Sequence, residues 1–383
     1  MPNIDFKRIF SLKPPPVVGI DIGSTSVKLL ELGRSGSGYR VESYGMEPLP
    51  EKAVEDKKIL ELEIVGEAIQ RLVKRASPRA DHAAVAVAGP AVITKVVTMD
   101  SGMSDSDIKA DLEGGNYIDI PPEELTLDFE IIGPNEKEPE ARVDVLMVAS
   151  HKEVVEPRTT CLEMANLKTR IVDIEKYVLE NAFRLIVEND PSMNSEDTIA
   201  LVEVGATTTT INVMGELEII FTREELFGGK RLTEEIHNSY SLSYDEANLA
   251  KRTGNLPENY ATDILEPFID DLAQQISRMV QYYYSMEVSS KYAKLSHILI
   301  CGGCASIPGI VEKISNKVGG NVSIANPFTF MAPPASKVDK KLLMTDAPAL
   351  LIACGLALRN FDAEFAAKAD KAKADKVDKA GKK

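Results

Sequence analysis

The chain has 383 residues, 44% of them apolar, with four cysteines and a formal net charge of −15. That length suggests about two or three domains, each with enough apolar material for a core. The acid excess excludes general nucleic-acid binding, and four cysteines are too few for a disulfide framework at this size, which fits a reducing compartment.

No run is read as reaching the roughly 18–20 apolar residues that span a bilayer, and Met1–Lys13 lacks the apolar segment and cleavage site of a signal peptide. A cytoplasmic location is expected. Met1–Leu12 reads as a short amphipathic turn stopped by Pro14-Pro15-Pro16, so residues 1–16 form a lead-in segment.

Val17–Leu32 joins two apolar runs through Gly23-Ser24-Thr25-Ser26. Gly23 allows close backbone approach to a ligand, and successive N–H groups with three hydroxyls can grip phosphate. Asp21 could hold a hydrated divalent cation and Lys28 could meet phosphate charge. A plain hairpin with a polar turn satisfies the same local pattern. Leu60–Val73 has the three-and-four apolar spacing of a helix with one buried face, and Ala83–Ala88 reads as a buried strand closed by Gly89-Pro90.

Residues 91–172 change texture. A strand at Val92–Met99, a helix opened at Ser104 or Asp105, a Pro121-Pro122 break, a hairpin of Leu125–Ile132 with Val143–Ala149, a helix over Lys152–Ala165 and a strand at Lys168–Val172 make a small α+β unit. It reads as an insertion in a larger domain. Gly114-Gly115 falls within its first predicted helix and weakens it.

At Ile199 the opening pattern returns. A shift of 182 residues lays Gly205 on Gly23, Gly215 on Gly33, Glu203 on Asp21 and Thr207-Thr208 on Thr25-Ser26. Two such hairpins facing each other would clamp a polyphosphate. Farther on, Asp263–Met286 carries a core stripe. His297–Ile300 is a strand running into Cys301-Gly302-Gly303-Cys304, where two glycines allow approach to the nucleoside end of a ligand. A helix over Ile307–Lys317 and a final helix over Ala347–Arg359 follow. Residues 362–383, with seven lysines and five acids, read as a disordered tail.

Other motifs are weaker. Cys301-x-x-Cys304 has the local form of a redox pair, the histidines and cysteines show no zinc spacing, and Gly228-Gly229-Lys230 lacks the rest of a Walker loop.

The two hairpins, Gly302-Gly303 and Ala353-Cys354-Gly355-Leu356 resemble, in order, the two phosphate motifs, the adenosine motif and the connecting motif of the actin-like ATPases. Gly19–Lys28, Tyr117–Pro122, Asp144–Ala149, Val172–Glu175, Thr222–Glu224 with Phe227–Gly229, and Ala353–Arg359 are similar to the PilM family of type IV pilus assembly proteins, relatives of the division protein FtsA. The resemblance implies an α/β, actin-like (ribonuclease H-like) duplicated two-domain fold. Residues 17–90, 173–196 and 346–361 would form subdomain 1A, residues 91–172 an inserted 1C, and residues 197–345 domain 2.

It further implies ATP and Mg²⁺ in the interdomain cleft. Asp21 and Glu203 would face the metal, Glu175 and Glu203 would be the catalytic acids, and Gly23–Ser26, Lys28, Gly205, Ala206, Thr207, Thr208, Asn248, Lys251, Gly302 and Gly303 would contact nucleotide. Implied partners are the cytoplasmic N-terminal peptide of PilN, PilO through PilN, and the pilus motor ATPases, so the chain would sit peripherally at the inner membrane. Glu203 replaces the family's usual aspartate and Asn248 its ribose-binding glutamate, which points to a nucleotide-binding scaffold with weak or no turnover. An FtsA-like division actin and a small-molecule kinase of the same superfamily are the alternatives.

Overall fold

The computed structural model describes residues 15–88, 91–115, 117–286 and 292–361. The expected lead-in turn at Met1–Leu12, Gly89-Pro90 and the tail 362–383 lie outside them.

In the first lobe, β1 (Val17–Ile22), β2 (Ser26–Ser35) and β3 (Gly38–Pro48) form an antiparallel meander. A short hairpin, β4 (Val54–Glu55) and β5 (Lys58–Ile59), leads to α1 (Leu62–Ala76) and β6 (His82–Val87). Apolar residues at Val65, Ala68, Ile69 and Leu72 face the sheet, which is why the Leu60–Val73 periodicity becomes a buried-stripe helix. The inserted unit follows: β7 (Val92–Asp100), α2 (Asp105–Gly114), β8 (Leu125–Pro134) and β9 (Arg142–His151), with strand order β7-β9-β8.

Ser104 caps α2 with a full capping box to Asp107. The Gly114-Gly115 pair lies at the end of α2, not in its interior, and the Gly115 N–H closes it on the Asp111 carbonyl at 2.7 Å. Ser104→Ala is expected to lose about 1 kcal/mol from this unit, read as faster amide exchange across α2; unchanged protection would contradict it.

After α3 (Lys152–Met164) comes β10 (Lys168–Ile174), which corrects one expectation. The strand expected within the inserted unit at Lys168–Val172 instead pairs, as β10, in parallel with β6 and extends the first sheet to β10-β6-β1-β2-β3. The α3 residues Cys161 and Leu162 pack into that lobe's core beside Val65 and Leu72, so helix and strand both return to the main domain.

Helix α4 (Glu175–Asn189) leads into the second lobe: β11 (Ile199–Val204), β12 (Thr209–Gly215), β13 (Glu218–Glu225), α5 (Gly229–Tyr240), α6 (Tyr244–Thr253), α7 (Glu266–Ser285), β14 (His297–Cys301), α8 (Ile310–Val318) and β15 (Val322–Ile324). Its sheet order, β13-β12-β11-β14-β15, is the first lobe's order β3-β2-β1-β6-β10 repeated. Even the register repeats. Ile22 pairs with Val27 and Asp21 with Lys28 in one hairpin, and Val204 with Thr209 and Glu203 with Thr210 in the other, each displaced by the same 182 residues.

The chain closes with α9 (Lys340–Asp346) and α10 (Leu351–Leu358), all of whose eight residues are buried. One apolar core joins Val17 and Ala84 of the first sheet, Ile199 and Leu299 of the second, Val178 and Phe183 of α4, and Ile352 and Leu356 of α10. Both helices therefore lie between the sheets. The run Lys340–Phe361, whose most apolar window has a mean hydropathy of 1.6, has the length and composition to cross a membrane, contrary to the expectation that no run does; 67% of that window is buried inside the protein, as in a core helix.

Candidate functional site

Both hairpin turns close alike. The Gly23 N–H donates to the Ser26 carbonyl at 3.1 Å and the Gly205 N–H to the Thr208 carbonyl at 2.9 Å. Among the described residues, the hydroxyls of Ser24, Thr25, Ser26, Thr207 and Thr208 have no side-chain partner, which leaves them available to an anion. Lys28 lies over the first turn so closely that a Cβ on Gly23 would come 2.8 Å from its Nζ.

Lys28 Nζ pairs with Asp21 Oδ2 at 2.9 Å, both side chains largely buried. Burial works against the lysine's charge, but Asp21, Glu203 and Glu175 together hold its pKa above the ordinary value. Glu203, at the corresponding point of β11, is pushed up to about 7 by burial and by the negative field of Glu175 and Asp21, with Lys57 and Lys28 opposing. Glu175 opens α4 and accepts from Lys57 Nζ at 3.2 Å. The three acids singled out in the sequence thus share one electrostatic site between the lobes, with two lysines as counterions.

The second turn is held from behind by Phe227, Gly229 and Lys230. Gly229 N–H donates to the Gly205 carbonyl at 3.0 Å, Lys230 N–H to that of Ala206 at 2.7 Å, and Thr209 Oγ1 to that of Phe227 at 2.7 Å. A Cβ on Gly228 would meet the Ala206 carbonyl oxygen at 2.5 Å, so this contact requires glycine. The signal in the sequence is Gly228-Gly229 directly after a strand, within the Phe227–Gly229 piece that carries the family resemblance. Lys230 also reaches across to Glu51 of the first lobe at 3.2 Å.

At the other end, Gly302 has φ +91 and presses on Val204, where a Cβ would sit 2.5 Å from the carbonyl oxygen, while Gly303 faces open space with nothing within 4 Å. Lys251 donates to the Gly229 carbonyl at 3.1 Å and to Thr233 Oγ1, and burial lowers its pKa. Asn248 lies one turn before it on α6, half-buried. Cys301 and Cys304 are free thiols whose pKa values burial raises, the reverse of a reactive redox pair.

No group of three or more His, Cys, Asp or Glu forms a metal cage among the described residues. Mg²⁺ needs no such cage, since it keeps several waters and takes one or two carboxylates plus phosphate oxygens, and Asp21 and Glu203 are the carboxylates that would hold it.

Two sheets of one topology, joined through shared central helices and facing each other across paired phosphate-type turns, define an actin-like ATPase fold. The sequence model described as type IV pilus assembly protein PilM matches residues 19–361, and the chain belongs to that family. Among solved structures, the PilM-PilN type IV pilus biogenesis complex is similar at a TM-score of 0.69 and 22% identity, covering 90% of this chain and 98% of that one. The ethanolamine utilization protein EutJ from Carboxydothermus hydrogenoformans has a TM-score of 0.52 at 17% identity, with 91% and 90% covered. The cell division protein FtsA of Enterococcus hirae is 25% identical, over 81% of this chain and 78% of its own length.

Proposed function

We propose that this PilM-family protein binds ATP with Mg²⁺ between its lobes and acts as a nucleotide-dependent adaptor of the pilus machine, with weak or no turnover. The reading rests above all on the two turns, whose register and closing hydrogen bonds are the same and which flank Asp21, Glu175 and Glu203. Bound magnesium would neutralise phosphate charge. The chain's own part is to grip phosphates with the Gly23–Ser26 and Gly205–Thr208 turns and Lys28, and to seat the nucleoside end beside Gly302, Gly303, Asn248 and Lys251. Glu203 is one methylene longer than aspartate, and a misplacement of about 1 Å can cost roughly a hundredfold in rate, which supports binding over hydrolysis.

The similar solved structure is of a complex with PilN, and this favours the cytoplasmic N-terminal peptide of PilN as the partner here. In this reading the chain sits at the inner membrane through PilN, reaches PilO by the same route, and communicates with the pilus motor ATPases. Calorimetry with ATP and Mg²⁺ tests the nucleotide half: wild type should bind, and Asp21→Asn should bind about tenfold more weakly or worse. Absence of wild-type binding removes the nucleotide from the reading, and failure of a PilN N-terminal peptide to bind in either nucleotide state removes the partner.

A further inference from the structure

The β4–β5 hairpin turns on Asp56 and Lys57, at φ 47 and 62, in the left-handed region where such turns usually carry Asn-Gly. A lysine is an unfavourable choice there, and the surroundings show what keeps it. Arg158, buried on α3, donates Nη2 to the Lys57 carbonyl at 2.7 Å, Nε to that of Ala86 at 3.0 Å and Nη1 to that of Val154 at 2.8 Å. The turn's backbone is thereby tied to the core of the first lobe. Its side chain is not buried: Lys57 remains 42% exposed and reaches forward to Glu175.

On the nucleotide reading above, the nucleoside end lies beside Gly302, Gly303 and Lys251, and the last phosphate of a nucleotide laid over the paired turns would approach Glu175, which Lys57 meets at 3.2 Å, and Glu203, whose field also reaches Lys57. Asp21, Glu175 and Glu203 would repel that phosphate. Lys28 pairs with Asp21 within its own hairpin and lies over the Gly23 turn, so it serves the phosphates held there.

We propose that Lys57 is the terminal-phosphate ligand of the cleft, an ammonium that Glu175 holds in position and by which the site distinguishes a nucleoside triphosphate from a diphosphate. The assignment rests on the nucleotide reading above. It adds a residue that belongs to neither hairpin and to no motif of the sequence.

The test is calorimetric titration of the full chain with ATP·Mg and ADP·Mg, for wild type, Lys57→Gln and Lys57→Arg. Loss of one charge-assisted contact predicts ATP binding weaker by about tenfold or more in Lys57→Gln, ADP affinity within about twofold of wild type, and recovery of most ATP affinity in Lys57→Arg. Retained ADP binding also reports that the variant is folded. Unchanged ATP affinity in Lys57→Gln, or equal losses for both nucleotides, overturns the assignment while leaving the nucleotide site standing. A wild-type chain that binds neither nucleotide overturns both.

Discussion

Gly355→Ala is expected to destabilise the protein by about 2–3 kcal/mol, although alanine is the better helix former by about 1 kcal/mol. The reason is the crossing of α10 over α4. A Cβ at Gly355 would lie 2.0 Å from the Val178 carbonyl oxygen and 2.7 Å from its carbonyl carbon, and main-chain atoms in the middle of a helix cannot rotate away. On its other face α10 meets β1 equally closely, where a Cβ on Gly19 would be 2.3 Å from the Ala353 carbonyl oxygen. With both sides in contact, α10 has no free direction in which to yield. Relief must come from moving α4, whose first residue is Glu175, so the substitution should weaken nucleotide binding as well. Gly303→Ala is the control for stability, because nothing lies within 4 Å of its Cβ position and its change should stay within about 0.5 kcal/mol. Denaturant unfolding of the two variants decides the matter; a Gly355→Ala protein as stable as wild type would mean that the helix crossing relaxes at no cost.

The hairpins were legible because everything that defines them is local. Gly23 and Gly205, the acids two residues before them and the hydroxyls after them lie in one short stretch each, and a repeat at fixed offset survives as a repeat of strand register. Topology was less legible. Lys168–Ile174 alternates no differently for one sheet than for another, and only its parallel pairing with β6 places it in the first lobe. Hydropathy alone could not tell a helix buried between two sheets from one suited to lipid, as Lys340–Phe361 shows. The supports of the site were invisible for a different reason. Lys57 meets Glu175 from 118 positions away and Arg158 meets the Lys57 carbonyl from 101 away, and neither stretch carries a motif. Chemistry that depends on such distant pairs is written only in the folded chain.

The pH dependence of the ligand-free protein should carry the signature of Glu203. Its pKa of about 7 in the folded state lies above its ordinary value of 4.5, so between those limits the native protein holds a proton that the unfolded chain has released. Stability from this group is therefore complete below about pH 4.5 and declines as pH rises toward 7, by about 3 kcal/mol at most. Glu203→Gln cannot ionise. In chelator and without nucleotide, it should match wild type near pH 5 and exceed it near pH 8, and parallel stability curves for the two proteins would show that Glu203 titrates normally. Burial and the field of Glu175 and Asp21 disfavour the Glu203 carboxylate, and on the proposed reading a divalent cation held between Asp21 and Glu203 would reverse that field. Binding of preformed ATP·Mg should then release about three-quarters of a proton at pH 6.5, and apparent affinity should fall as pH drops below 7. In Glu203→Gln the proton release should vanish. The glutamate that makes hydrolysis doubtful on length is thus expected to couple nucleotide loading to proton concentration, through the same charge cluster in which Glu175 positions Lys57.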